Sequence, residues 1–336
     1  MPHVGAYPFM PELVDKPTEQ SSGALYTVVA GEGDGFMLGL AAGDTAGGAW
    51  ELGYSATTEQ ATIVAYEMIM NRAIDLDRVV SSLLEMDGAN AEEPVLRAES
   101  AELRMWLDRA HAGRPVAGEE PSLDAAARAV VIGVGLRREP NRLVEEAVRL
   151  GRLFHRDAAT VASGVMAAAA VAASCYAQSG MDLIAGVAES VDGAVDLIGD
   201  LDRADRVSAL PAHISSLVSS VGLVSGPEAL EAVGGHREDP AQMVLAGILL
   251  AAPVAHRHHV PIEQAARLGG SRLGAVVGAV VGARVGIRAW PWAFANDTWF
   301  AEIGRRLVRG PDEVRDLPIP YAVEQHLMSG GRPGFH

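Results

Sequence analysis

Apolar positions recur at helical spacing along most of this chain. Ile63, Val64, Met68 and Ile69 mark one stripe within Thr57–Arg72. Further helices are predicted over 77–84, 92–113, 142–154, 158–177, 182–203, 207–221 and 239–252. Two segments depart from simple amphipathy because small residues crowd them. The stretch 35–65 opens as an apolar run studded with Gly and Ala, which lets another helix approach closely. Its Gly43-Asp44 and Gly47-Gly48 pairs predict breaks, and Gly53-Tyr54 a turn before the helix resumes at Thr57. The second segment, Leu273–Val285, carries Gly274, Gly278 and Gly282 at four-residue steps, a pattern read as packing between buried helices. The ends of the chain look different. Residues 1–25, with Pro2, Pro8, Pro11 and Pro17, predict an extended arm. Residues 311–336, with Pro311, Pro318, Pro320 and Pro333, predict an irregular tail. Between them, 26–310 reads as a single helical domain.

Composition narrows the function classes. A chain of 336 residues with 49% hydrophobic content has ample core. Its net charge of −16 comes with no basic face, so a nucleic-acid partner is not expected. Cys175 is the sole cysteine, which excludes an intramolecular disulfide and a Cys-based metal site. Lying in an Ala-rich run, it reads as a buried inert thiol. The N-terminus lacks a basic region followed by an apolar run, and the apolar runs 166–177 and 273–285 are too short to span a bilayer. The expectation is a cytoplasmic protein with no membrane partner.

Candidate chemistry is sparse. Asp44 places a carboxylate beside the backbone N–H groups of a Gly-rich corner. His155 precedes Asp157, a helix-capping residue type, and is a candidate base. His256, His258 and His259 cluster without a carboxylate at useful spacing, so helix C-terminal electrostatics suffice to explain them.

Gly39-Leu40-Ala41-Ala42-Gly43-Asp44-Thr45-Ala46-Gly47, followed by Glu51, resembles the opening signature of the ADP-ribosylglycohydrolase family. Three later stretches agree in order: Leu123–Gly135 with Arg128 at the family arginine, Phe154–Asp157 with His155, and Gly269-Gly270-Ser271-Arg272. The resemblance implies an all-α, single globular orthogonal helical domain. It also implies a binuclear Mg²⁺ or Mn²⁺ site at the head of an ADP-ribose cleft. The family supplies the metal ligands from a Glu, a T-D-D-T/S and a D-x-D-T/S motif. Glu51 matches the first. Ser55-Ala56-Thr57-Thr58 and Ser271-Arg272-Leu273-Gly274 stand where the other two should be, without their four aspartates. One formal charge is too little for two hard divalent cations. No metal ligand and no cofactor is therefore expected.

The resulting expectation is a family protein that binds ADP-ribose, a related nucleotide-like small molecule, or a protein partner without cleaving it. Ser55, Thr57, Thr58, Arg128, Gly269, Gly270, Ser271 and Arg272 are the candidate ligand-binding residues. A metal-independent hydrolase of a glycosidic bond, with Glu51, Asp44 or His155 as acid or base, is the alternative. A glycohydrolase with a shifted metal site is a third. Arg272, lying between the two missing aspartates, is expected to take over part of the cations' charge by pairing with Glu51 or Asp44, or to await an anionic ligand there.

Overall fold

The computed structural model describes residues 24–48, 53–71, 73–88, 94–97, 100–223, 225–253, 258–286, 290–292, 294–309 and 317–328. Glu51, His256 and nearly all of the expected N-terminal arm lie outside them. The described chain is all-α. In order it forms α1 (Ala24–Gly47), α2 (Ala56–Asn71), α3 (Leu76–Met86), α4 (Ala101–His111), α5 (Asp124–Gly135), α6 (Pro140–Phe154), α7 (Ala158–Ser174) and α8 (Gly180–Ile198). Then follow α9 (Asp205–Ser208), α10 (Leu210–Ser216), a short 3₁₀ turn, α11 (Gly226–Ala232), α12 (Pro240–Ala251), α13 (His259–Val285), α14 (Asp297–Arg309) and α15 (Pro320–Met328).

The axis of the molecule is α1 laid along α13. Gly35, Gly39, Gly43 and Gly47 recur every fourth residue on one face of α1, and Gly274, Gly278 and Gly282 do so on α13. A Cβ on Gly39 would overlap the carbonyl oxygen of Gly278, and one on Gly278 that of Gly39; Gly43 and Gly274 oppose each other in the same way. The helices therefore meet backbone to backbone. This corrects the expected break at Gly43-Asp44, because α1 runs unbroken to Gly47. Those glycines serve close approach, not a turn. The expected kink lies on the partner instead. Inside α13, Gly270 has φ +67° and ψ −160°, a region essentially restricted to glycine, so a new helical run starts at Ser271.

Around this axis sits a shell of apolar helices. α7 is buried along nearly its whole length and packs on α5, α6, α8 and α12. Its start is fixed by Asp157, whose carboxylate accepts from the Thr160 N–H at 2.9 Å, the cap the sequence suggests. Ser100 caps α4, Asp75 caps α3, Asp239 caps α12, and Ser179 with Asp182 forms a capping box on α8. Ser100 also explains why the helix expected from residue 92 begins only at Ala101. Pro211, in the first turn of α10, divides the helix expected over 207–221. α13 is the described helix long and apolar enough to cross a bilayer, and 67% of its most apolar window is buried inside the molecule, as in a core helix.

The C-terminal region corrects a second expectation. Part of the presumed irregular tail is α15, with Pro320 at its start, and Val323, Glu324 and Leu327 are buried. Glu324 ties it down. Its carboxylate accepts from the Tyr54 hydroxyl and from Arg97 Nη2, each at 2.8 Å, while Asn296 donates to the Tyr54 oxygen at 2.8 Å. Arg97 also pairs with buried Glu59 at 2.6 Å and lies 4.7 Å from the Tyr54 ring centre. Burial, with Glu324 adding its charge, raises the Tyr54 phenol. Burial likewise drives Glu59 well above the usual carboxylate range, against the pull of Arg97.

Candidate functional site

Asp44 sits on the last turn of α1 and is fully buried. Its carboxylate accepts from the backbone N–H of Ser55 (2.9 Å) and of Thr58 (3.1 Å). The hydroxyls of Ser55 and Thr58 also donate to it, each at 2.8 Å. Asp44 thus caps α2 from another helix, adding the favourable field at a helix N-terminus to four hydrogen bonds. Burial raises its carboxyl all the same, against the pull of those bonds. Ser55 and Thr58 spend their hydroxyl protons on Asp44, and the Ser55 oxygen also accepts from the Thr57 N–H at 3.2 Å.

A second cluster forms on the other side of α2. Arg128, one turn into α5, is only 1% exposed. Its guanidinium donates to Gln60 Oε1 at 2.5 Å and to His155 Nε2 at 2.6 Å, and it stacks 3.9 Å from the centre of the Phe154 ring. Four residues earlier, buried Asp124 faces Arg272 Nε at 2.5 Å and accepts from the Ser100 hydroxyl at 2.5 Å. Burial works against the Asp124 charge, but Arg272 and Arg128 outweigh it and hold the carboxyl below its ordinary value. Burial lowers Arg128 to about 10, so it remains a cation at neutral pH. Burial, reinforced by Arg128, pushes His155 down to about 3. The His155 ring is therefore neutral, with its proton on Nδ1 and its Nε2 lone pair given to Arg128.

The structure brings the sequence-selected residues together at the head of α2. Asp44, Ser55 and Thr58 form one cluster; Arg272, Arg128 and His155 join the other through Asp124. Gly47 closes against Ser271, joining the end of α1 to the kink of α13. Arg272 reaches Asp124, a partner the sequence did not suggest, while Glu51 lies outside the described residues. Ser55 and Thr58 hold the Asp44 carboxylate, and Arg272 pairs with Asp124. Its side chain remains 33% exposed, and Gly269, Gly270 and Ser271 beside it are half-buried. Asp124, Gln60, Arg97 and Glu324 escape sequence reasoning. The signal for Asp124 is its spacing, an acid four residues before a helical arginine.

Neither cluster forms a group of three or more His, Cys, Asp or Glu side chains suited to a metal ion among the described residues. A groove of about 320 Å³ opens elsewhere, between α2, α3 and the start of α15, and no sequence-selected residue lines it.

The geometry of His155 predicts a pH effect. The folded ring titrates near 3 and the unfolded one near 6.5. Between those values the unfolded chain binds the extra proton. The stabilisation is complete above about pH 6.5 and declines by about 1.4 kcal/mol per pH unit on acidification. His155→Gln keeps an acceptor for Arg128 but cannot titrate. Urea unfolding at pH 7.5, 6 and 5 is expected to show the parent losing stability relative to this variant; parallel pH slopes would refute it.

Three comparisons place the chain among known proteins. The family model for ADP-ribosylglycohydrolase matches residues 33–316. The comparison with curated proteins gave no match. Among solved structures, one titled ADP-ribosylglycohydrolase-related protein complex superposes with a TM-score of 0.59 at 20% identity, covering 85% of this chain and 99% of the other. That likeness is one of fold.

Proposed function

We propose that this chain, which belongs to the ADP-ribosylglycohydrolase family, binds ADP-ribose or a related nucleotide-like ligand, or a protein partner, without the family's two-cation hydrolysis. One observation carries the reading. Where the resemblance calls for four aspartates, the chain has Ala56, Thr57, Ser271 and Leu273, and the groups around them are already committed to one another.

Among the described residues, which do not include Glu51, the donor set does not fit a pair of Mg²⁺ or Mn²⁺ ions. Such ions require several oxygen ligands, chiefly carboxylates. Asp44 is buried under four hydrogen bonds as a helix cap. Asp124 is held by Arg272 and Ser100. Arg272 itself brings a fixed positive charge into the region, which opposes a cation. Asp44 and His155 are poor general acids or bases in this setting, since both are buried and their reactive atoms are engaged. Among the described residues of the site, the half-buried Gly269–Arg272 corner remains accessible, a guanidinium beside the backbone of a helix start. That combination favours an anionic or hydroxyl-rich ligand. The reading includes a cytoplasmic protein.

Calorimetry with ADP-ribose, with and without Mg²⁺, tests this. The expected result is binding whose affinity is the same in both, with no Mg²⁺-dependent release of ADP-ribose from a modified protein. Binding that requires Mg²⁺, or such release, would overturn it. Absence of ADP-ribose binding would shift the reading to the protein partner.

A further inference from the structure

We propose that the groove between α2, α3 and the start of α15 is a binding site for a primary alkylammonium group. The proposal is independent of the reading above. The groove has a volume of about 320 Å³, the size of a small-molecule site. Its apolar walls include Met70, Met86, Ile319 and Pro320, with Tyr66 and Tyr321 adding aromatic rings. Met70 and Ile319 are 38% and 44% exposed, so the groove leaves apolar surface uncovered.

The polar groups choose the charge of the occupant. Among the described residues, Glu67 and Glu85 both line the groove, against one cation, Arg78. Arg78 is turned toward Asp75, at 3.7 Å, and its side chain is 60% exposed. Glu67 is only 5% exposed. Asn71 donates to one of its oxygens at 2.9 Å, and no described cation forms an ion pair with it. Burial raises the Glu67 carboxyl, against the pull of Arg78 and of the Asn71 bond, so one partly exposed cation answers the two groove carboxylates. A cation seated in the groove would supply the missing charge, and tyrosine faces add attraction for it. The apolar walls demand more than a bare ion, since methionine, isoleucine and proline favour an alkyl body behind the charged head. The Ser81 and Ser82 side chains offer oxygens for the remaining ammonium protons.

The wall built by Ile319, Pro320 and Tyr321 lies beyond residue 316, where the family match ends. The groove is thus assembled partly from chain that the family model does not cover. That wall is also held in place, because Glu324, one turn after Tyr321, is bonded to Tyr54 and Arg97.

The test uses the full chain labelled with ¹³C at the methionine methyls, titrated with n-pentylammonium. An acidic protein attracts any cation diffusely, so the readout must be local. The Met70 and Met86 signals, assigned with Met70→Leu and Met86→Leu, are expected to shift and saturate together. n-Pentanol and pentanoate are expected to bind at least tenfold more weakly. Glu67→Gln, or Glu85→Gln should the first fail to fold, is expected to weaken pentylammonium binding at least tenfold. Equal binding of the alcohol, shifts spread over methionines outside the groove, or unchanged binding in a folded carboxamide variant would each overturn the proposal.

Discussion

Replacing Gly278 with alanine is expected to destabilise the protein by about 3–5 kcal/mol, more than the ~1–3 kcal/mol typical of an extra methylene in a packed core. The excess follows from what the new methyl group meets. Its neighbour is the carbonyl oxygen of Gly39, with the Gly43 backbone next to it. Neither can rotate away as a side chain could. α1 and α13 must separate, and the glycine pairs above and below lose their contact with the moved pair. Gly193 provides the contrast. It lies in the exposed face of α8, and nothing stands within 4 Å of a Cβ built there. Gly193→Ala is expected to stabilise by about 0.5–1 kcal/mol, through helix propensity and a less flexible unfolded chain. Urea unfolding of both variants beside the parent decides the matter. A Gly278→Ala midpoint equal to that of the parent would mean that the seam is looser than its geometry implies.

These two glycines also mark the limit of what the chain reveals before folding. The small residues of the first segment and the four-residue glycine steps of the second were legible as close packing, but not as packing against each other. The same letters supported a break at Gly43-Asp44, since local chemistry cannot tell a turn glycine from a contact glycine. α15 was hidden for a related reason. Three of its neighbouring prolines suggested loop, while the decisive residue, Glu324, is buried by partners that lie far away in sequence. The candidate site divides along the same line. Asp44 was marked by its Gly-rich corner and His155 by its place before a helix cap, while Arg128 and Arg272 were found because a resemblance pointed at them. Asp124 and Gln60, which join them, sit at ordinary helical positions and gain meaning only when α2, α5 and α13 converge. Arg272 was expected to answer Glu51 or Asp44. Asp44 is bonded to hydroxyls at its own helix junction, and the guanidinium pairs with Asp124, while Glu51 lies outside the described residues.

Arg128→Met is expected to cost about 3–5 kcal/mol, the loss usual when one member of a buried charged network is removed. The methionine fills much of the volume and keeps apolar contact with Phe154, so a cavity is not the cause. The cost lies in what is left behind. Gln60 Oε1 and the His155 Nε2 lone pair lose their donor, each costing about 1–3 kcal/mol when unsatisfied. Asp124 retains Arg272 and Ser100 but loses a second nearby cation. Arg128→Lys should recover only part of the stability, because an ammonium keeps the charge yet cannot present two planar donors while stacking on Phe154. A titration separates this account from a generic packing defect. Arg128 is one of the groups depressing His155, so in a folded Arg128→Met protein the His155 imidazole must titrate at higher pH than in the parent, though burial still holds it below 6.5. NMR of the His155 ring carbon protons measures this directly. A variant with parental stability, or one whose His155 titration does not move upward, would show that the guanidinium is not the hub linking α2, α5 and the α6–α7 turn.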